Sequence, residues 1–346
     1  MINNDFYFDI LLQLDFGSAL EKLQREVQSK IPARLVGKIY ITGNGDSYIS
    51  GYCMEMLSRV YHHDQVRAIT VADAAYTELF DERTVLVSVS ISGNSNTLAI
   101  AMEKVKASGG KNIAITHNPK SKIATIADFI VQLPQVSKNR MTPHASDYYC
   151  SLNALGLLMN HLTGNPYLDN KEVESYIKNH LVNIGLMISN KIASIKNFKR
   201  FIICSSDVNY PTALYGAAKF WEAQGVYAIA SNLDEFGHGL HMTASESDLV
   251  VIIPNCAFPE KRMDKMLEGM QKMGVNFLLF TDRQIMSDNP NIVGIPNITG
   301  SLYPYVHHIL LQWLVYYYSE SNNLNVTTGL GRNTLLDFSK FNDYLR

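Results

Sequence analysis

The sequence predicts an α/β protein built from two tandem, doubly wound parallel sheets. Three observations carry that expectation. Short apolar runs bounded by Gly, Asn, Asp or Pro alternate with longer stretches of helical spacing. The runs are almost continuously Val, Ile and Leu rather than alternately polar, as strands covered by helices on both faces are. The runs also recur. KIYITG (38–43), TVLVSVS (84–90), KNIAITH (111–117) and DFIVQLP (128–134) are followed 162 to 164 residues later by RFIICSS (200–206), DLVVIIP (248–254), VNFLLFT (275–281) and NIVGIPN (291–297). So constant an offset marks an internal duplication.

Each copy is expected to open with a helix, alternate strands and helices, and close with a long helix, near 146–163 in the first and 303–320 in the second. Right-handed crossovers then wind each copy into a sheet of four or five parallel strands. The polar, helically spaced segment NKEVESYIKNHLVNIGLMISNKIASI lies between the copies. The resulting organisation is a first domain over 1–165, a linker helix over 166–199 and a second domain over 200–346.

Composition narrows the function. The 346 residues are 47% hydrophobic and 18% charged, with a net charge of −2 and no Lys/Arg-rich run. That balance argues against a nucleic-acid surface, which needs clustered basic residues to neutralise phosphates. Cys53, Cys150, Cys204 and Cys256 are scattered without CxxC spacing, so they read as reduced, packed thiols rather than a disulfide or zinc framework. No metal or cofactor is expected. The N-terminal stretch carries acidic residues and no basic leader, and no apolar run is long enough to cross a bilayer. A cytoplasmic protein with no membrane partner is the expectation.

The stretch TVLVSVSISGNSNT ends a buried strand in hydroxyls around one glycine, with no charged residue. In a doubly wound sheet, ligands bind outside the carboxyl ends of the strands. Here the loop also opens a helix, whose first N–H groups are unpaired and carry positive partial charge. Ser and Thr add donors and Gly93 lets the backbone come close, which suits a phosphate monoester. The alternative is that Ser95 or Asn94 only caps the helix. The preceding strand ends in TGNGDSYISG, again glycine-rich and with Ser47 entering a helix, so two neighbouring strand ends offer small donors to one cavity. Neither loop carries a full dinucleotide fingerprint or a P-loop lysine. The second copy has VIIPNCAFPE in place of SVSISGNSNT, so the fold itself does not require the hydroxyls.

GDSY at 45–48 with SISGNS at 90–95 resembles the phosphosugar-binding signature of the sugar isomerase (SIS) domain family, notably the isomerase part of glucosamine-6-phosphate synthase, with GTSY and SQSGET. The resemblance runs over nearly the whole chain as two tandem SIS domains of flavodoxin-like topology. It implies phosphate contacts from Ser47, Ser90, Ser92 and Ser95, the last replacing a threonine, while Ile91 replaces a glutamine and offers only its backbone N–H. In the second half, YPTALYGAAKFWE (Tyr210–Glu222) followed by DEFGHGL (Asp234–Leu240) resembles YPIALEGALKLKE followed by GELKHGP. By that resemblance Glu222 moves a proton between C1 and C2, Lys219 lies one turn before it, and His238 opens the sugar ring.

Aldose–ketose interconversion needs one carboxylate to take a proton from one carbon and return it to the next. Lys219 shares a helix face with Glu222 and would keep it ionised. Read without the resemblance, the pair is an exposed ion pair and His238 is structural. Two departures stand out. The chain begins Met1, Ile2, Asn3, leaving no room for the glutaminase domain that gives the synthase its ammonia, and GRNTLLDFSKF (Gly331–Phe341) places Leu336 at the family's lid lysine, with Lys340 out of register.

The reading is thus a phosphosugar isomerase or deaminase acting on a 6-phosphorylated amino sugar or ketosamine. A fructosamine-type 6-phosphate deglycase is the alternative within the class, with Phe220, Trp221 and Phe236 either shaping a pocket for a larger amine or serving as core. A non-catalytic sugar-phosphate regulator is the alternative outside it. Such regulators pair a DNA-binding helix-turn-helix with one SIS domain or lack the glutamate, whereas here only about 37 non-basic residues precede the first strand and Glu222 is present. The resemblance further implies a homodimer whose His238 serves the neighbouring subunit.

Overall fold

The computed structural model describes residues 4–33, 37–134, 143–195, 197–255, 259–283, 289–324 and 326. By their contacts the described residues form two compact units, one from 12–134 and 144–174, the other from 4–11, 143 and 175–326. Each unit holds one sheet of five parallel strands with flanking helices, the α/β class that the sequence predicts.

The opening helix α1 (Asn4–Leu11) departs from the expected first domain. It packs on the closing helix of the second unit, where the Tyr7 ring lies 5.4 Å from Trp313 and Phe6 and Ile10 are fully buried. Those apolar side chains, not chain order, decide which unit the helix joins. In the first unit follow α2 (Gly17–Lys30), β1 (Ile39–Gly43), α3 (Asp46–Val60), β2 (Val66–Thr70), β3 (Val85–Val89), α4 (Asn96–Ala107), β4 (Lys111–Thr116), α5 (Lys122–Ile126), β5 (Phe129–Gln132) and α6 (Ser146–Thr163). The strands run in the order β2-β1-β3-β4-β5. All five residues of β1 and of β3 are buried, so the apolar runs legible in the sequence are the centre of the sheet. Residues of α6 are buried on every face, which explains its near-continuous apolar character.

The unit boundary falls inside α7 (Asn170–Ser189), between Glu174 and Ser175, so the segment expected as a separate linker is divided between the units. The short α8 (Ile192–Ile195) leads into β6 (Arg200–Ser205), α9 (Tyr210–Gln224), β7 (Tyr227–Asn232), α10 (Leu233–His238), β8 (Asp248–Ile252), α11 (Glu260–Lys272), β9 (Phe277–Thr281), β10 (Ile292–Gly294) and α12 (Tyr303–Ser321). This sheet has the order β10-β9-β8-β6-β7, the same arrangement as the first. In both, the chain reverses its winding direction between the first strand and the third, which makes that crevice the switch point where flavodoxin-like sheets bind ligands.

Two strands lie outside the expected set, β2 and β7. Both are edge strands beside the first strand of their sheet, and both are only partly buried. An edge strand lacks the second covered neighbour that forces a continuous apolar run, so VRAIT and YAIASN carry a weak signal. Cys53, Cys150 and Cys204 are buried free thiols, and burial pushes the Cys53 thiol up to about 12. Cys256, Leu336 and Lys340 lie outside the described residues. Among the described residues no helix is long and apolar enough to cross a membrane.

Candidate functional site

The hydroxyl loops issue from neighbouring strands at the switch point of the first sheet, since Thr42 on β1 pairs in register with Ser88 on β3. A Cβ on Gly43 would meet the Ser47 Cβ at 2.5 Å and the Val89 carbonyl oxygen at 2.8 Å, so glycine alone lets the end of β1, the first turn of α3 and β3 come together. Ser47 lies half-buried on that first turn, with its N–H donating to the Asn44 carbonyl at 3.1 Å.

Beyond β3, the Ser90 N–H extends the sheet by donating to the Ile115 carbonyl at 3.0 Å. Its Oγ accepts the Gly93 N–H at 3.1 Å and shapes the turn. Gly93 has φ +70°, and a Cβ there would collide with Ser121 Oγ, so no other residue fits. Ser95 caps α4 by accepting the Leu98 N–H at 3.3 Å, as the simpler reading of the loop has it. A hydroxyl that accepts from the backbone still has its own proton to donate, so capping leaves Ser95 able to bind an anion. Ser90 keeps its donor in the same way. Ser92 stands exposed between them. Ser47 and the loop carrying Ser90, Ser92 and Ser95 therefore follow adjacent strand ends, with Ser90 and Ser95 fixed by backbone N–H groups. The sequence reading missed Lys122, whose ammonium donates to Asn96 Oδ1 at the first turn of α4. Its signal was the SK pair opening α5, indistinguishable in sequence from a surface lysine.

Lys219, Glu222 and His238 belong to the second unit. Lys219 is fully buried on α9, and its Nζ donates to Glu222 Oε2 at 2.6 Å, with Glu222 45% exposed. The pair is therefore not the exposed ion pair of the bland reading. A buried ammonium against a solvent-facing carboxylate leaves one carboxylate oxygen able to act on a ligand. Trp221, beside it, is 53% exposed, with its indole N–H donating to the Ala228 carbonyl at 2.7 Å. Phe220 stacks on Phe201 and Phe236 sits in the apolar core, so neither lines an open pocket.

His238 ends α10, exposed, with its Nδ1 2.8 Å from the Asp234 carbonyl. A carbonyl oxygen only accepts, so Nδ1 carries a proton, and in the neutral ring the lone pair is on Nε2. Glu222 and His238 are not brought together. Glu222 precedes the amino end of β7 by five residues and His238 follows its carboxyl end by six. The six-residue strand between them spans about 17 Å, and the two residues flank opposite ends of the sheet.

Residues 35–158 match the model of the SIS domain family. The glutamine–fructose-6-phosphate aminotransferase (isomerizing) of Pyrococcus horikoshii is 26% identical over 299 residues, covering 81% of this chain and 48% of that protein. The chain thus spans about half the length of the curated relatives it matches. Among solved structures, the C-terminal domain of glucosamine-fructose-6-phosphate aminotransferase from Francisella tularensis superimposes with a TM-score of 0.75 at 18% identity, over 92% of this chain and 96% of that one. The glucosamine-6-phosphate deaminase of Thermotoga maritima does so with a TM-score of 0.73 at 17% identity, over 92% and 96%. At such identities the structures establish the fold, and the family match and sequence relatives establish descent. Residues 35–158 are a SIS domain, and the chain is homologous to the isomerase domain of the glutamine–fructose-6-phosphate aminotransferases.

Proposed function

We propose that the chain is a phosphosugar isomerase or deaminase that moves a proton between C1 and C2 of a 6-phosphorylated amino sugar or ketosamine, and that its two units are tandem SIS domains. The observation that carries the reading is the 2.6 Å contact between the buried Lys219 ammonium and the half-exposed Glu222 carboxylate. The ammonium holds one carboxylate oxygen in place and leaves the other, on the exposed side chain, to take a proton from carbon. In this reading the Ser47, Ser90, Ser92 and Ser95 hydroxyls hold the phosphate. His238 Nε2 takes the hydroxyl proton as the ring opens, and Glu222 removes the proton from one carbon and returns it to the next through an enediol or enolamine. The isomerisation is proton transfer throughout; amine release then hydrolyses the imine so formed, one water giving its oxygen to the carbonyl and its protons to the departing amine, and neither step calls on a cofactor.

The separation of Glu222 and His238 along β7 supports a homodimer, in which one subunit supplies the carboxylate and its partner the imidazole. The exposed Trp221 beside Glu222 favours a second reading, release of an amine larger than ammonia from a ketosamine 6-phosphate. The test is a panel of phosphorylated amino sugars and ketosamines, assayed for released ammonia or amino acid and for solvent deuterium at C1 or C2. Exchange with ammonia release supports the deaminase and amino-acid release the deglycase. Tight binding without exchange or turnover across the panel would replace both with a sugar-phosphate regulator.

A further inference from the structure

The seam between α9 and α12 in the second unit contains a chain of fully buried polar side chains that leads to the proton-transfer pair. Lys219 Nζ lies 5.0 Å from the centroid of the Tyr215 ring, over its face. Tyr215 is completely buried, and its hydroxyl accepts a hydrogen bond at 2.9 Å from Gln312 Nε2, itself completely buried on α12. The His308 ring meets Tyr215 edge-on, 6.2 Å away, with Nδ1 directed at the Pro304 carbonyl at 3.3 Å. The ring is thus fixed by a hydrogen bond at its hydroxyl and an edge contact at its side, leaving one face to the ammonium.

We infer that Tyr215, locked by Gln312, is a positioning residue that holds the buried Lys219 ammonium over its ring face and so sets the orientation of Glu222. A buried ammonium needs more than one carboxylate that is itself half in water, and an aromatic face attracts a cation strongly where water is excluded. The aromatic ring has a property that a second carboxylate lacks: it stabilises the ammonium without competing with Glu222 for a formal ion pair. A second carboxylate at position 215 would divide the ammonium's hydrogen bonds, whereas the Tyr215 ring leaves the short bond to Glu222. Gln312 explains why tyrosine stands here rather than phenylalanine, since its buried amide would otherwise lose an acceptor. The seam thereby makes α12, which carries none of the proton-transfer residues, part of their support.

This inference rests on the reading of Glu222 as the base, and its test separates the two. Tyr215→Leu removes the face, Tyr215→Phe keeps it, and Glu222→Gln and Lys219→Met act directly on the pair. In the full chain, Tyr215→Leu should lower kcat for solvent-deuterium exchange roughly 10- to 100-fold. KM and phosphosugar affinity should stay within about twofold, because the phosphate cradle belongs to the other unit. Tyr215→Phe should recover most of the loss. Equal losses in the Leu and Phe variants, or a wild-type rate in Tyr215→Leu, would overturn the role of the ring. Wild-type exchange in Glu222→Gln would instead overturn the base. A substrate-free measurement covers the case of an unstable variant. In wild-type protein the Lys219 ε-methylene proton signals, assigned by their loss in Lys219→Met, should be shifted upfield by the ring current, and an unshifted position would remove the ammonium from the ring face.

Discussion

At the crevice between its first and third strands, the first unit leaves its loop hydroxyls partly open to solvent, whereas the second buries polar groups at the matching crevice and bonds them to its own chain. In the first, Ser92 is exposed and Ser47, Ser90 and Ser95 are half-buried. In the second, Asn209 and Ser205 are fully buried and both donate to the Pro254 carbonyl, at 2.6 and 3.1 Å, tying the loop after β6 to the loop after β8. The same strand order therefore carries differently bonded polar groups in the two units. What differs is whether a polar group donates to its own chain or retains a proton toward the crevice. Ser90 and Ser95 sit between those extremes, each accepting from a backbone N–H and each still able to donate.

The sharpest test of this contrast is at the Lys219–Glu222 pair, to which the proposed function assigns the proton transfer. Glu222→Gln preserves size and hydrogen bonding but removes the basic oxygen. Solvent-deuterium exchange at C1 or C2 should fall by about 100- to 10,000-fold, the range that a positioned base contributes, with phosphosugar binding retained. Exchange at the wild-type rate would remove Glu222 from the chemistry, and with it the reason for assigning catalysis to the second unit.

The second unit should also be the acid-sensitive one. His307 and His308 are fully buried on α12, and loss of hydration holds their pKa values down to about 3 and about 4, with His308 adding to the depression of His307. Below the unfolded value near 6.5 the unfolded chain binds protons that the folded unit does not, so stability is full above that pH, falls on acidification and levels off only near the folded values. Together the two groups withdraw a few kcal/mol between about pH 6.5 and pH 4. Amide hydrogen exchange followed from pH 7 to 4.5 should show protection lost more steeply in α12 than in α6. Parallel loss in both helices would contradict the assignment.

How much of this was legible in the sequence depends on how strongly burial constrains each residue. The central strands β1, β3, β8 and β9 are buried at every position, so composition alone marks them. The closing helix of the first copy, expected near 146–163, is observed as Ser146–Thr163 because its burial leaves no polar face to blur its ends. The edge strands β2 and β7 escaped for the opposite reason, and α1 was credited to the first unit because sequence order says nothing about which core its Phe6 and Ile10 enter. The turn around Gly93 and the cap at Ser95 were legible because small polar residues and a required glycine form a local pattern. The seam behind Lys219 was not, since Tyr215 and Gln312 lie 97 residues apart and meet only through packing.

A smaller effect sharpens the contrast between the two crevices directly. Ser92→Ala removes one donor to a charged acceptor and should weaken phosphosugar binding by about 1.5–3 kcal/mol, without changing the melting transition. Ser206, at the second unit's crevice, is buried and directs its Oγ to Asn232 Oδ1 at 3.4 Å. Ser206→Ala should leave affinity unchanged. Calorimetric titration of both variants with one phosphosugar tests the comparison. Equal losses would mean that both crevices bind, and no loss in Ser92→Ala would mean that the cradle is wrongly assigned.

The smallest expected signal asks whether the separation of Glu222 from His238 is bridged by a second subunit. Glu222 lies before β7 and His238 beyond it, and a strand of six residues cannot fold back to close a gap of about 17 Å within its own sheet. A C2 dimer solves the problem symmetrically, because each subunit then lends its imidazole to its partner's carboxylate. Glu222→Gln and His238→Ala homodimers should each be inactive. When they are mixed in equal amounts, half of the dimers are hybrids, and each hybrid has one site with both groups intact, so activity should return to about a quarter of wild type. The measurement is deuterium exchange after denaturation and joint refolding, with hybrid formation checked by mass spectrometry of the intact dimer. Hybrids without activity would require Glu222 and His238 to act within one chain, and the two ends of β7 would then need a different account.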